Sequence, residues 1–365
     1  MHSRRAFFKF SAHALGGLSF CSCAMLQAKE MPAISPKKTP WPVVLNGKRI
    51  KTIDVHAHCY FQEAIDLMGE EAKSVLPPVK GVKEHFIAIN DRIVAMNAQG
   101  IDLQVLSINP FWYRQSRDVA QAICRINNEK LSELCRAEPE HFAAFGSLAM
   151  QYPDLAVEQL EHAVKVLGLK GAAIGASVLG EDFSAPQFHP VLAKAQELGA
   201  VLFIHPQSTP ELAKRFKGNG WLSNTIGNPL DTTIALQHLI FEGLFDKFPD
   251  LKVLAAHGGG YLGSYGARSD HSCFVSPVNC DPKIVLKKQP SEYLRQIYFD
   301  NLVFTSEALQ FLASQVGVSQ LMIGTDHPIP WEERPVDLVM NAKGFSSKER
   351  VQMLGLNAAR LLNIN

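Results

Sequence analysis

From about residue 50 the chain alternates two patterns of apolar and polar positions. Short, mostly β-branched apolar runs predict strands, and longer stretches with an apolar residue every three or four positions predict helices. The strand runs are KRIKTIDVHAH (48–58), DLQVLSI (102–108), FAAFGSLA (142–149), GAAIGAS (171–177), AVLFIHP (200–206), LKVLAAHG (251–258), QIYFDN (296–301) and QLMIGTD (320–326). Between them, DRIVAMNAQG opens on Asp91 as a cap and stops at Gly100. DLAVEQLEHAVKVLG runs from Asp154 to Gly168 with Leu160, Val164 and Leu167 on one face, and HPVLAKAQELG stops at Gly199. Strands and helices in this alternation predict a (β/α)8 TIM barrel. A doubly wound open sheet is the alternative, disfavoured because no glycine-rich phosphate turn follows the first strand.

Three connections are longer than a plain barrel needs, 59–90, 207–228 and 259–292. All follow strands, so they crowd the C-terminal rim, where barrel active sites are built. The polar strand ends point to the same rim. His56 and His58 close the first run, His205 the fifth, His257 the sixth and Asp326 the eighth. Alternate side chains share a strand face, so His56 and His58 converge while Val55 and Ala57 are expected to face away. Imidazoles with a carboxylate suit one divalent cation, Zn²⁺ first, with Mn²⁺ or Fe²⁺ as alternatives. The fourth run offers no Lys, Glu or Cys to bridge two ions, and Lys170 lies at its other end. Phe111, Trp112 and Tyr113 after the second run, and Trp221 after the fifth, are expected on the rim, where one or two pack on a planar substrate or all form the core of a lid. Gly258 to Gly260 either present N–H groups to an anion or let the chain turn tightly.

Composition narrows the class. The 365 residues are 47% hydrophobic and 19% charged with a net charge of +1, which suits a globular enzyme with a small-molecule substrate and no nucleic-acid partner. The N-terminus stands apart. SRRAFFKF, Ser3 to Phe10, precedes an apolar stretch interrupted by His13 and Gly16–Gly17, too short for a membrane span. With Arg4 and Arg5 as the pair, it resembles a twin-arginine export signal, which implies engagement of that export machinery and a periplasmic enzyme. If the leader does not function, the enzyme is cytoplasmic. The expected organisation is a signal peptide at 1–28, a linker at 29–47 and one catalytic domain at 48–365. Cys21 and Cys23 fall in the leader, and the five cysteines beyond it, Cys59, Cys124, Cys135, Cys273 and Cys280, predict no disulfide framework. Cys59 reads as a packed thiol.

The ordered set DVHAH, MNAQGIDLQVLS, FIHP, FPDLKVLAAHGGGYLGSYGAR, PSEYLRQIYFDN, MIGTDHP and NAARLLNI, from about residue 51 to 363, resembles the amidohydrolase superfamily. Within it, the likeness is to the decarboxylase branch that includes aminocarboxymuconate semialdehyde decarboxylase. The resemblance implies that His56, His58, His205 and Asp326 hold one divalent metal, usually zinc, with His257 as acid/base and Asp326 sharing in proton transfer. It also implies that Arg268 clamps a substrate carboxylate, often from the neighbouring subunit of a homodimer. A second arginine of the branch is missing from the first long loop, where PPVKGVKEHF offers only Lys80 and Lys83. His327 stands where the branch often has an aromatic residue, and it is expected either to line the pocket or to serve as a cap. The implied activity is a carboxy-lyase acting on an unsaturated or aromatic carboxylic acid. A hydrolase or hydratase of the same fold, cutting a lactone or amide or adding water to a double bond, is the alternative. A non-catalytic binding protein is the third reading, and it leaves His257 without a purpose.

Overall fold

The computed structural model describes residues 41–74, 79, 89–207 and 209–364. The leader with Arg4 and Arg5, the linker up to residue 40, and Lys80 and Lys83 lie outside the described residues. Eight parallel strands form the ring: β1 (Ile53–His58), β2 (Leu103–Ser107), β3 (Phe142–Ala144 continued by Gly146–Ser147), β4 (Gly171–Ile174), β5 (Val201–Ile204), β6 (Lys252–Ala255), β7 (Tyr298–Asp300) and β8 (Leu321–Met322). The first half of β3 pairs with β2 and the second half with β4, so this strand joins two sheets at Phe145. The ring closes between β8 and β1 through the bridges Asp54↔Ile323 and Ala57↔His327. Val55 N–H donates to Ile323 O at 2.9 Å and His58 N–H to His327 O at 2.6 Å. The fold is a (β/α)8 barrel.

The run at 48–58 is not one strand. Lys48–Arg49 turns back on Val44–Leu45, at the end of the stretch expected as linker, as a small antiparallel hairpin, and β1 starts only at Ile53. Its cause is the Asn46-Gly47 pair, with φ of 53° and 74°, which is the turn chemistry a two-residue hairpin requires. The third rim connection also differs from expectation. A 14-residue helix, Leu262–Val275, occupies it, docked through Leu262, Gly263 and Gly266. From the last turn of that helix a disulfide joins Cys273 to Cys280, a pairing that cysteine count alone did not indicate.

Two apolar layers hold the ring. Inside it pack Val55, Val105, Phe145, Phe203, Leu254 and Met322, and Ala358, Leu361 and Leu362 of the C-terminal helix Asn357–Leu362 belong to the same cluster. That helix plugs the end opposite the active rim. Asn357 donates to Val318 O and Leu321 O, both at 2.8 Å, and Gly355 packs so closely on Lys51 O that a Cβ would sit 2.0 Å from it. The outer layer, between strands and helices, holds Ala57, Leu106, Leu202, Ile204, Val253 and Phe299. The helices Ile89–Gln99, Pro153–Lys165 and His189–Leu198 stand where the apolar spacing predicts them, and Gly199 ends the last in the left-handed conformation with φ 60°. Among the described residues no helix is long and apolar enough to cross a membrane.

One irregularity aims the first two histidines. A regular pleat sends Val55 and His56 to opposite faces. In β1 the register against β2 shifts between Asp54 and Ala57. Val55 therefore packs in the inner cluster with Phe203, and the His56 ring still reaches within 5.0 Å of the Phe203 ring. Ala57 alone turns outward as expected. Re-aiming a side chain beside a site is a recurrent use of a bulge.

Candidate metal centre

Four buried side chains from two strand ends, β1 and β5, and the β8 loop meet at the rim. The ligating atoms of His56, His58, His205 and Asp326 all lie within 4.8 Å of one another, and no second such cluster occurs among the described residues. Asp326 Oδ1 lies 3.3 Å from His56 Nε2 and 2.8 Å from His58 Nε2, and the two Nε2 atoms are 3.1 Å apart. His205 packs edge-on against both, with ring centroids at 5.1 and 4.6 Å. His257 completes the group, its Nε2 3.5 Å from Asp326 Oδ2 and its ring 5.3 Å from that of His205.

The back of each imidazole decides what its front can do. His56 Nδ1 lies 2.7 Å from Asp300 Oδ2, so Nδ1–H donates to the carboxylate and leaves Nε2 facing the cluster. Ser107 Oγ donates to Ala57 O at 3.1 Å, so its lone pair accepts from His58 Nδ1 at 3.0 Å and fixes the same tautomer there. These are the partners that orient histidines at metal sites. Both ring nitrogens of His205 are buried without a hydrogen-bond partner, and an unmet buried acceptor is costly unless something binds it. The donor set therefore fits a single divalent cation. When bound, such an ion supplies a Lewis acid to a substrate oxygen.

Charge points the same way. Burial opposes an imidazolium at His56, but Asp326 and Asp300 outweigh it and push its pKa up to about 10. Burial, with neighbouring imidazoles adding to it, holds His205 well below the ordinary histidine range. Burial also holds His58 down against the pull of Asp326. Burial works against the charge on Asp326, yet His56 and the hydrogen bonds from His257, His56 and His58 keep its pKa well below the usual carboxylate range. The pocket thus carries two carboxylates that demand positive charge and two imidazoles kept neutral as donors.

Asp300 was not singled out by sequence, although QIYFDN ends in a carboxylate as QLMIGTD does. It serves the site from behind. Besides His56 it accepts from His257 N at 2.8 Å, Gly258 N at 2.8 Å and Leu302 N at 3.0 Å. This settles the two readings of the glycine run. The turn is tight, with left-handed φ at Gly258, Gly259 and Gly260, and a Cβ on Gly260 would meet Pro229 O at 2.0 Å. The anion that Gly258 N–H faces is Asp300 itself. Asp54 is a second buried support, accepting from His56 N, Thr325 Oγ1 and Gln104 Nε2, with burial pushing its pKa up to about 6. Arg92, also buried, donates to His58 O and to Gln104 Oε1.

A cavity of about 270 Å³ opens over the cluster, with His58, His205 and Asp326 in its floor and Phe61, Phe111 and Trp221 among its walls. Trp112 does not line it. That indole is fully buried, donates to Leu148 O at 2.9 Å and supports the rim from below, so Phe111 takes the place expected for it. His327 is likewise absent from the lining, and its backbone helps to close the barrel against Ala57 and His58. Arg268 lies exposed on helix Leu262–Val275 and is not among the residues that line this cavity. Cys59 is a buried thiol whose pKa burial pushes up to about 11.

Residues 53–364 match the family model described as Amidohydrolase. The chain is 33% identical over 277 residues to a 2-amino-3-carboxymuconate-6-semialdehyde decarboxylase of Dictyostelium discoideum, covering 75% of this chain and 76% of that one. It is 27% identical over 299 residues to a gamma-resorcylate decarboxylase of Rhizobium sp. (strain MTP-10005), covering 78% and 90%. Among solved structures it superposes with TM-score 0.76 and 25% identity on a dihydroxybenzoic acid decarboxylase from Polaromonas sp. JS666 holding manganese and the inhibitor 2-nitroresorcinol, covering 87% and 98%.

Two predictions follow from the geometry. His205→Ala should lose bound metal, while His257→Ala should keep a metal content near that of the parent and lose most turnover; elemental analysis of both purified proteins checks this, and a metal-free His257→Ala would reverse the assigned roles. Gly324 packs where a Cβ would stand 2.6 Å from Asp300 Cβ and 3.1 Å from His56 Cβ. Gly324→Ala should therefore part the two and weaken metal affinity by about 10–100-fold, measured by chelator competition on protein with an unchanged circular dichroism spectrum. Parental affinity in that variant would show that the Asp300–His56 pair does not tune the site.

Proposed function

This chain belongs to the amidohydrolase family, and from that premise we propose that it is a metal-dependent carboxy-lyase releasing carbon dioxide from an aromatic or unsaturated carboxylic acid. One observation carries the reading: a ligand set for a single ion, His56, His58, His205 and Asp326, forms the floor of a cavity walled by the flat rings of Phe61, Phe111 and Trp221. The relatives described above are decarboxylases by name, and their acids are unsaturated or aromatic. Zinc is the proposed ion, since three imidazoles and a carboxylate suit it. The manganese of the Polaromonas structure is the rival to be tested beside it.

The chain's own residues divide the work. The aromatic walls hold the ring and exclude water, so the carbon–carboxylate bond breaks in a low-dielectric site. The electron pair of that bond stays on the ring carbon, which then takes a proton to form the new C–H bond. His257 Nε2, 3.5 Å from Asp326 Oδ2, can pass a proton through Asp326 or give it directly, and a histidine is suited to that exchange near neutral pH. Asp300, bonded to both His56 Nδ1 and the His257 backbone, keeps donor and ligand at a constant separation.

Arg268 is exposed on its own chain, so we propose that it reaches a neighbouring subunit's cavity in a homodimer and forks onto the substrate carboxylate. We also propose export by the twin-arginine route to the periplasm. The Cys273–Cys280 disulfide supports it, because such bonds persist mainly in oxidising compartments.

Enzyme reconstituted separately with zinc and manganese should release carbon dioxide from members of a panel of hydroxybenzoic and muconate-like acids. Hydrolysis of lactones or amides without carbon dioxide release would place the chemistry elsewhere in the family. In the same assay, Arg268→Ala and His257→Ala should each be nearly inactive alone, and mixing them should restore activity if the arginine acts across the dimer. No recovery in mixed dimers would confine Arg268 to its own subunit's surface. For export, Arg4→Lys with Arg5→Lys should leave the enzyme in the cytoplasm of a host with a twin-arginine system; normal export by subcellular fractionation would rule the signal out.

A further inference from the structure

A second cavity, of about 250 Å³, is lined by His257 and adjoins the first. It is nearly as large as the substrate cavity and has a different character. Tyr261, Leu302, Phe304 and Trp331 make most of its wall, and the amides of Asn224 and Asn228 stand where it borders the first cavity, since both residues line both spaces. The aromatic walls are continuous across that border. Trp221 of the first cavity stacks on Trp331 of the second, with centroids 5.7 Å apart and planes 15° from parallel. His257 lines this second space, and its ring sits 5.3 Å from that of His205 in the floor of the first.

Two features separate this space from an incidental hollow. Its size far exceeds what passage of water or carbon dioxide needs, since one water in the liquid claims roughly 30 Å³. Its wall is also held in place at a cost. Phe304 has φ 67° and Trp221 φ 49°, and the Phe304 ring is half exposed while lying 6.2 Å from the Trp331 ring. A bulky residue in the left-handed region is strained by about 1–3 kcal/mol, and such strain collects at ligand sites. Neither residue is buried in the core. An exposed aromatic wall finds its return when a ligand covers it.

We propose that this cavity is a second arm of the substrate site and that the acid processed here carries an apolar substituent, alkyl or aryl, that fills it. The carboxylate is then held at the metal cluster, the acid's ring lies against Phe111 and Trp221, and the substituent passes Asn224 and Asn228 to lie against Phe304 and Trp331. This rests on the carboxy-lyase reading for the position of the carboxylate, and it adds the shape of the rest of the molecule.

The test reads binding, not turnover. Nitrophenols, with the nitro group in place of the carboxylate, are titrated into the metal-loaded enzyme by calorimetry, bare and with a propyl or phenyl group at each ring position. At least one position should bind about tenfold tighter or more than the bare compound, in keeping with the 10–200-fold that a single methylene can contribute in an apolar pocket. Phe304→Asp should remove most of that gain, and because Asp tolerates a positive φ better than Phe, the variant is expected to fold. Trp331→Ala should do the same from the opposite wall. If no position yields a gain, or if the gain survives both substitutions in folded protein, the arm does not hold substrate. Since the readout is affinity, an enzyme that released no carbon dioxide would refute the carboxy-lyase reading and leave this result to stand or fall separately.

Discussion

The hydrogen bond from His56 Nδ1 to Asp300 Oδ2, 2.7 Å long and fully buried, joins the first strand of the barrel to the seventh across 244 residues of sequence. Burying a carboxylate alone is expensive, and Asp300 is stabilised there only because His56 and three backbone N–H groups surround it. His56's bond and charge outweigh burial and keep the Asp300 pKa below its usual value. The same contacts fix the His56 tautomer and the start of the His257 turn. One carboxylate thus sets the direction of a metal ligand and the position of the group proposed to move the proton.

Close approach makes this possible. Gly324 leaves no Cβ between Asp300 and His56, and the glycines after His257 let the chain fold back over β7 without clashing with Phe299 or Pro229. Left-handed backbone at His257 and Asp326, with φ of 56° and 59°, brings both side chains over the barrel mouth after their strands have ended. Such strain is sustained by the rigid ring beneath, whose inner cluster is filled by Phe145, Phe203 and Met322. The stable half of the molecule holds the costly half in position.

Electrostatics and shape then meet at the rim. Two carboxylates facing imidazoles held neutral by burial make a place where positive charge is favoured. Around it the walls carry the rings of Tyr60, Phe61, Phe111 and Trp221, and the two cavities meet at Asn224 and Asn228. A site of this kind grips a molecule by its anionic end and sorts it by the apolar surface beyond.

The barrel was legible in the sequence, because strand and helix periodicities are local properties and eight apolar runs alternate plainly with helices. So was the rim as the place for His56, His58, His205, His257 and Asp326, since polar residues ending apolar strands have one end of a parallel barrel to occupy. What the linear pattern did not hold was anything depending on a partner far along the chain. Asp300 looked like an ordinary strand end until His56 faced it, and Trp112 looked like a pocket wall until Leu148 O took its indole N–H. The register shift in β1 appears only when β2 is paired against it, and the place of Arg268 on an outer face depends on which side of its helix docks. Periodicity determines which elements form and which residues end them; directions and distances between those ends belong to packing, where a bulge or a missing Cβ moves a side chain by ångströms without altering the pattern.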